Sequence, residues 1–94
     1  MTFQSILDEV RNNLNKILSE ISITGIDFSV EPAKPGFGDV SSNISFLLAK
    51  QLKKSPRDIA QLFSENYEKS HNTLVLKSEA HPSGYLNFFA NWEK

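Results

Sequence analysis

Eight apolar residues near the N-terminus, Phe3, Ile6, Leu7, Val10, Leu14, Ile17, Leu18 and Ile21, recur at helical spacing with no glycine or proline among them. This spacing predicts an amphipathic helix over residues 3–22, with Thr2 as its N-cap and Gly25 as its stop. Asp8, Glu9, Arg11 and Lys16 fall off the stripe, so one face is solvated and the other must be covered. A chain of 94 residues is one domain with a modest core. The cover must therefore come from the elements that follow.

Two more helices are legible. From about Ser42 to Lys54, Ile44, Leu47, Leu48 and Leu52 share a face, and Lys50, Lys53 and Lys54 suit the negative end of the helix dipole. Ser55-Pro56-Arg57-Asp58 restarts a helix, with serine as N-cap, proline at the first helical position and an acid at the third. Ile59, Leu62, Phe63 and Tyr67 form its expected buried face, and the helix should end near Lys69, before His71 and Asn72. Ahead of these helices, Phe28-Ser29-Val30-Glu31 alternates like a short strand. Pro32 to Asp39 holds two prolines and two glycines, which makes a loop. The loop lacks the GxxxxGK[ST] spacing of a phosphate cradle.

The tail reads as a hairpin, with 80–84 as its turn. Alternation in Gly84-Tyr85-Leu86-Asn87-Phe88-Phe89 sends Leu86 and Phe88 to one face and Tyr85, Asn87 and Phe89 to the other. Matching apolar faces pairs Glu79 with Tyr85, Lys77 with Asn87 and Val75 with Phe89. Leu74, Leu76, Leu86 and Phe88 then lie together under the helices, while Lys77, Tyr85 and Asn87 become neighbours on the open face. A ring, an amide and a second ring in a row can stack an unpaired base and hydrogen-bond its edge. The plainer alternative is a sheet buried on both sides.

Composition narrows the function classes. A net charge of −1 argues against strong, indiscriminate nucleic-acid binding. The charge is uneven, however: Lys34, Lys50, Lys53, Lys54 and Arg57 face a single acid, Asp39, between Pro32 and Arg57. No cysteine is available for a disulfide or a thiolate metal site. His71 and His81 fall in predicted loops without metal-ligand spacing, and no serine sits in a GxSxG elbow. Glu31 and Asp39 flank the Pro/Gly loop, where Asp39 is expected to satisfy loop or helix-start amides. Neither a membrane span nor a signal peptide is evident, so a cytoplasmic location with no membrane partner is expected. Trp92, an isolated aromatic after the last strand, would either anchor the tail or touch another chain segment.

Three segments in order carry a family resemblance. Val30-Glu31-Pro32 leads through Gly38-Asp39-Val40-Ser41-Ser42-Asn43 to Leu48-Ala49-Lys50, then comes Leu52 to Ala60, and last Gly84 to Phe89. Together they resemble the N-terminal additional domain of arginyl-tRNA synthetase over nearly the whole chain. Ala33 stands where the family usually has a second proline, and Phe37 where it often has histidine before Gly-Asp.

The resemblance implies a two-layer α+β fold, helices on one face of a small four-stranded sheet, in the order α-β-β-α-β-β with the second helical region split. Its fourth strand would come from the stretch around Phe37 to Ser41. It also implies contact with the D-loop of tRNA-Arg through Tyr85 and Asn87, and the strand alternation adds Lys77 and Phe89 beside them as candidate tRNA-binding residues. The turn before the strand offers His81 and Ser83 for a further polar contact. A parent enzyme would charge tRNA using ATP and magnesium. Its HIGH-type and KMSKS-type motifs are missing from these residues, so the domain itself is expected to carry no cofactor and no catalytic site. A free-standing protein-interaction module, docking through Tyr85, Phe89 and Trp92, is the alternative, and a small enzyme a remote third.

Overall fold

The computed structural model describes residues 2–68 and 74–91, so Lys69, His71, Asn72 and Trp92 lie outside the described residues. Three helices and four strands follow in the order α1 (Phe3–Glu20), β1 (Val30–Pro32), β2 (Val40–Ser42), α2 (Ile44–Leu52), α3 (Pro56–Glu68), β3 (Val75–Ala80) and β4 (Leu86–Ala90). The sheet is antiparallel throughout, ordered β1-β2-β4-β3. This is the α+β arrangement expected, with the fourth strand at Val40–Ser42.

Helix α1 begins as predicted, its Thr2 side chain accepting a hydrogen bond from the Ser5 N–H at 3.1 Å. It stops before Gly25. Ser22 takes the left-handed conformation (φ 60°), Ile23 N–H donates to Leu18 C=O at 3.0 Å, and Ser22 N–H donates to Ser19 C=O at 3.1 Å. That pair of bonds is a Schellman closure made without glycine. Helix α2 starts at Ile44, two residues later than its spacing suggests, and the Asn43 side-chain oxygen accepts a hydrogen bond from Ser29 N–H at 2.8 Å, tying the β1 approach to the helix start. Ser55 caps α3, accepting from Asp58 N–H at 3.2 Å.

The core lies between the helices and one sheet face. Ile6, Val10 and Leu14 meet Ile44, Leu48, Ile59 and Phe63 over Val40, Leu86 and Phe88. Some predicted core residues are instead exposed: Leu47 and Leu62 sit on the flanks of their helices, and Ile21 lies just past the end of α1. The stripe on α2 is narrow because that helix packs mainly on α3, whereas α3 also packs on β3.

Tyr67 closes the core from α3, its ring 4.8 Å from that of Phe88. Its hydroxyl accepts from Asn13 Nδ2 at 3.2 Å. Burial pushes its phenol up to about 12 from the usual 10. The folded state therefore keeps the proton where the unfolded chain has begun to lose it. Stability from this group is intact below pH 10 and should fall by about 1.4 kcal/mol per unit as pH rises from there towards 12. Urea midpoints at pH 9 and 11.5 should diverge more for the wild type than for Tyr67→Phe.

The β3–β4 register differs from expectation. Lys77 pairs with Phe89 and Glu79 with Asn87, two residues from the predicted alignment, and a bulge separates Val75 from Lys77. Two causes act. His81 N–H donates to Tyr85 C=O at 2.9 Å, which closes a tight turn and fixes the pairing inward from it. The bulge then reverses the alternation, burying Val75 and leaving Leu76 65% exposed. Ser78, on the core face, is satisfied by Ser64 at 2.9 Å.

Candidate nucleic-acid interface

The sheet face away from the helices carries one row of side chains, one per strand. Glu31 of β1 opposes Ser41 of β2, Ser41 opposes Asn87 of β4, and Asn87 opposes Glu79 of β3. Tyr85 and Phe89 lie two residues to either side of Asn87 on the same face. The residues named from the sequence are thus brought together, but not in the expected way.

Tyr85 is 39% exposed and stands edge-on to Phe46 of α2, ring centroids 5.0 Å apart. Asn87 is only 2% exposed, contrary to the expectation of an open amide. The Pro/Gly loop approaches the same strand. Gly38 lies so close to the Phe89 ring that a Cβ there would be 3.2 Å from it, and the Phe37 ring reaches His81, centroids 4.4 Å apart. Asn87 sits on β4 between those two points. Its Oδ1 is buried with no hydrogen-bond partner among the described residues. An unmet buried acceptor costs about 1–3 kcal/mol, which makes it a place to seek a ligand's donor.

Lys77 is not beside Asn87. Its ammonium lies 4.6 Å over the Phe89 ring, so that ring is occupied by a cation and is not a free stacking surface. His81 and Ser83 are engaged in the turn itself, Ser83 N–H donating to His81 Nδ1 at 3.1 Å. Asp39 accepts from Ala90 N–H at 2.8 Å, so the amide it satisfies belongs to β4 and not to the loop or a helix start.

A cleft of about 90 Å³ opens beside Tyr85, lined by Glu31, Pro32, Lys34, Phe37, Ser41 and Tyr85. Sequence reasoning missed Phe37, Ser41 and Glu31 as its walls. Val40-Ser41-Ser42 is only three residues long, so it offers no period of its own by which to find them. Its lining combines two aromatic rings, a hydroxyl and two charged side chains of opposite sign. Among the described residues no group of three His, Cys, Asp or Glu side chains could hold a metal, and no helix is long and apolar enough to cross a membrane.

Comparison with known proteins accords with this arrangement. The family described as "Arginyl tRNA synthetase N terminal domain" matches residues 4–90. The arginine–tRNA ligase of Thermococcus sibiricus is 36% identical over 100 residues, covering 100% of this chain and 16% of its own length. That of Methanococcus aeolicus is 40% identical over 86 residues, covering 88% of this chain and 15% of its own. This chain thus spans about a sixth of the relatives it matches. The solved Thermus thermophilus arginyl-tRNA synthetase superposes with a TM-score of 0.72 at 24% identity, over 99% of this chain and 14% of that one, a likeness of fold. With nearly every described residue inside the matched span, the chain belongs to the family of arginyl-tRNA synthetase N-terminal domains.

Proposed function

We infer that this chain is a single tRNA-contacting accessory domain of an arginyl-tRNA synthetase, taking an unpaired base of the D-loop of tRNA-Arg against Tyr85. Arginylation, with its ATP and magnesium, is assigned to the remainder of such an enzyme. One observation carries the reading: an exposed ring and a buried, unmet acceptor lie two residues apart on the same strand face, beside a cleft of base-like proportions. Stacking is tolerant of base identity, whereas the Asn87 oxygen asks for a donor such as an amino or imino N–H. The carboxylates of Glu31 and Glu79 at the ends of the row favour donors as well.

Asn87→Leu tests the reading through two opposite effects. Removing an unmet buried acceptor for an apolar side chain of similar size should leave the melting temperature unchanged or raise it by a few degrees. The same change should weaken tRNA-Arg binding several-fold. A variant as stable as the wild type that binds tRNA equally well would remove Asn87 from the site. An interaction module docking through Tyr85, Phe89 and Trp92 finds less support, since the Lys77 ammonium lies over the Phe89 ring.

A further inference from the structure

We propose that the basic corner between α2 and α3, built from Lys50, Lys53, Lys54 and Arg57, grips the RNA phosphates flanking the base held at Tyr85. This rests on the stacking role proposed for Tyr85 and extends it to the backbone. All four side chains are exposed, and none forms an ion pair with a described residue.

The corner adjoins the stacking ring directly. Phe46, which meets Tyr85 edge-on, lies one helical turn before Lys50 on the same face of α2. On the other side Pro56 packs so tightly against Gly84 that a Cβ on the glycine would be 2.8 Å from the proline Cβ. Arg57 follows Pro56, and Tyr85 follows Gly84. The four cations and the ring therefore share one edge of the molecule.

Helix electrostatics does not explain the cluster. The dipole accounts for Lys50 in the last turn of α2, but Arg57 sits in the first turn of α3, where a cation is disfavoured. Lys53 closes α2 in the left-handed conformation (φ 53°, ψ 42°), a position where glycine is the usual choice. The Arg57 placement is a small electrostatic cost that an external anion would offset. Glu31 and Glu79, at either end of the row on the sheet face, repel phosphate from that face. A backbone leading away from Tyr85 is thus directed over the corner. The pairing of one neutral ring with four adjacent cations fits a single nucleotide and its neighbours' phosphates.

Salt dependence tests this independently of the stacking contact. Binding of a fluorescently labelled tRNA-Arg transcript to this chain would be followed by anisotropy from 20 to 150 mM KCl for three proteins. These are the wild type, Tyr85→Ala, and a fourfold variant carrying Lys50→Gln, Lys53→Gln, Lys54→Gln and Arg57→Gln. The fourfold variant should bind at least tenfold more weakly at low salt. Its plot of log affinity against log salt should be shallower by about 3, since each phosphate that a cation neutralises adds roughly 0.7–0.9 to the slope. Tyr85→Ala should weaken binding with its slope unchanged. An unaltered slope in the fourfold variant overturns the corner while leaving the Tyr85 contact standing. A shallower slope there with no effect of Tyr85→Ala overturns the coupling between corner and ring, as does an absence of wild-type binding at 20 mM KCl. Equal circular dichroism melts of the wild type and the fourfold variant would assign the weaker binding to charge.

Discussion

Tyr85→Ala is expected to weaken tRNA binding by roughly ten- to a hundredfold, because stacking on one ring is worth about 1–3 kcal/mol per base. The loss should fall almost wholly on the RNA and only slightly on the fold. In the free protein the ring's described aromatic neighbour is Phe46, met edge-on at 5.0 Å, an interaction worth about 0.5–1.5 kcal/mol. The melting temperature should therefore drop by only a few degrees. Tyr85→Phe provides the control, since it keeps both the π-face and the contact with Phe46. It should bind within about threefold of the wild type, a difference of under 1 kcal/mol. If the alanine variant binds as well as the phenylalanine variant, the ring is not a stacking platform. If phenylalanine loses as much as alanine, the hydroxyl makes the contact instead.

Gly84→Ala should be among the most damaging single changes to stability, at about 3 kcal/mol, or roughly 12–24 °C in melting temperature. Gly84 is buried with φ +106°, a conformation side chains rarely adopt. The added methyl would also lie 2.8 Å from the Pro56 Cβ and 3.0 Å from two carbons of the Phe46 ring. Proline cannot step aside, being fixed in the first turn of α3. The Gly84 carbonyl further accepts a hydrogen bond from the buried Ser45 hydroxyl, so the backbone is held on both sides. Gly36→Ala isolates the conformational part, since its φ is +90° but nothing lies within 4 Å of the added atom. That variant should cost about 1 kcal/mol. A Gly84→Ala protein melting within 5 °C of the wild type would mean that the turn and the α2–α3 corner are not coupled as described.

How far the fold can be read from the residues depends on which forces dominate each part. Helix α1 is legible because Thr2 and eight spaced apolar residues act locally. Its end is not, because Ser22 does the work reserved in the usual pattern for Gly25. Strand β2 is too short to show its own period and exists through its partners: Val40 faces Phe88 and Ser42 faces Leu86 across the sheet. The hairpin is legible as a hairpin, yet its register turns on the His81–Tyr85 closure and on one bulged residue, which face-matching alone does not reveal. At the site, alternation groups Tyr85, Asn87 and Phe89 on one face correctly. It gives no hint that Asn87 is buried, because burial depends on tertiary packing that alternation along one strand does not encode. The Gly38-Asp39 pair is legible as part of a family pattern, and the structure supplies its physical reason. Gly38 leaves room for the Phe88 carbonyl, 2.9 Å from where its Cβ would be, and Asp39 bonds the strand beside it.

The outer strands bear on how the molecule can meet other chains. β1 has three residues and ends on Pro32, which has no amide hydrogen to give, while β3 is kinked at Leu76 and carries Lys77 and Glu79 on its exposed side. Short, proline-tipped and bent margins are poor templates for an incoming β-segment, and charge on them discourages self-stacking into fibrils. Recognition by sheet extension is accordingly disfavoured at both borders. Whatever docks on this small scaffold is left to do so through side chains projecting from its faces and corners.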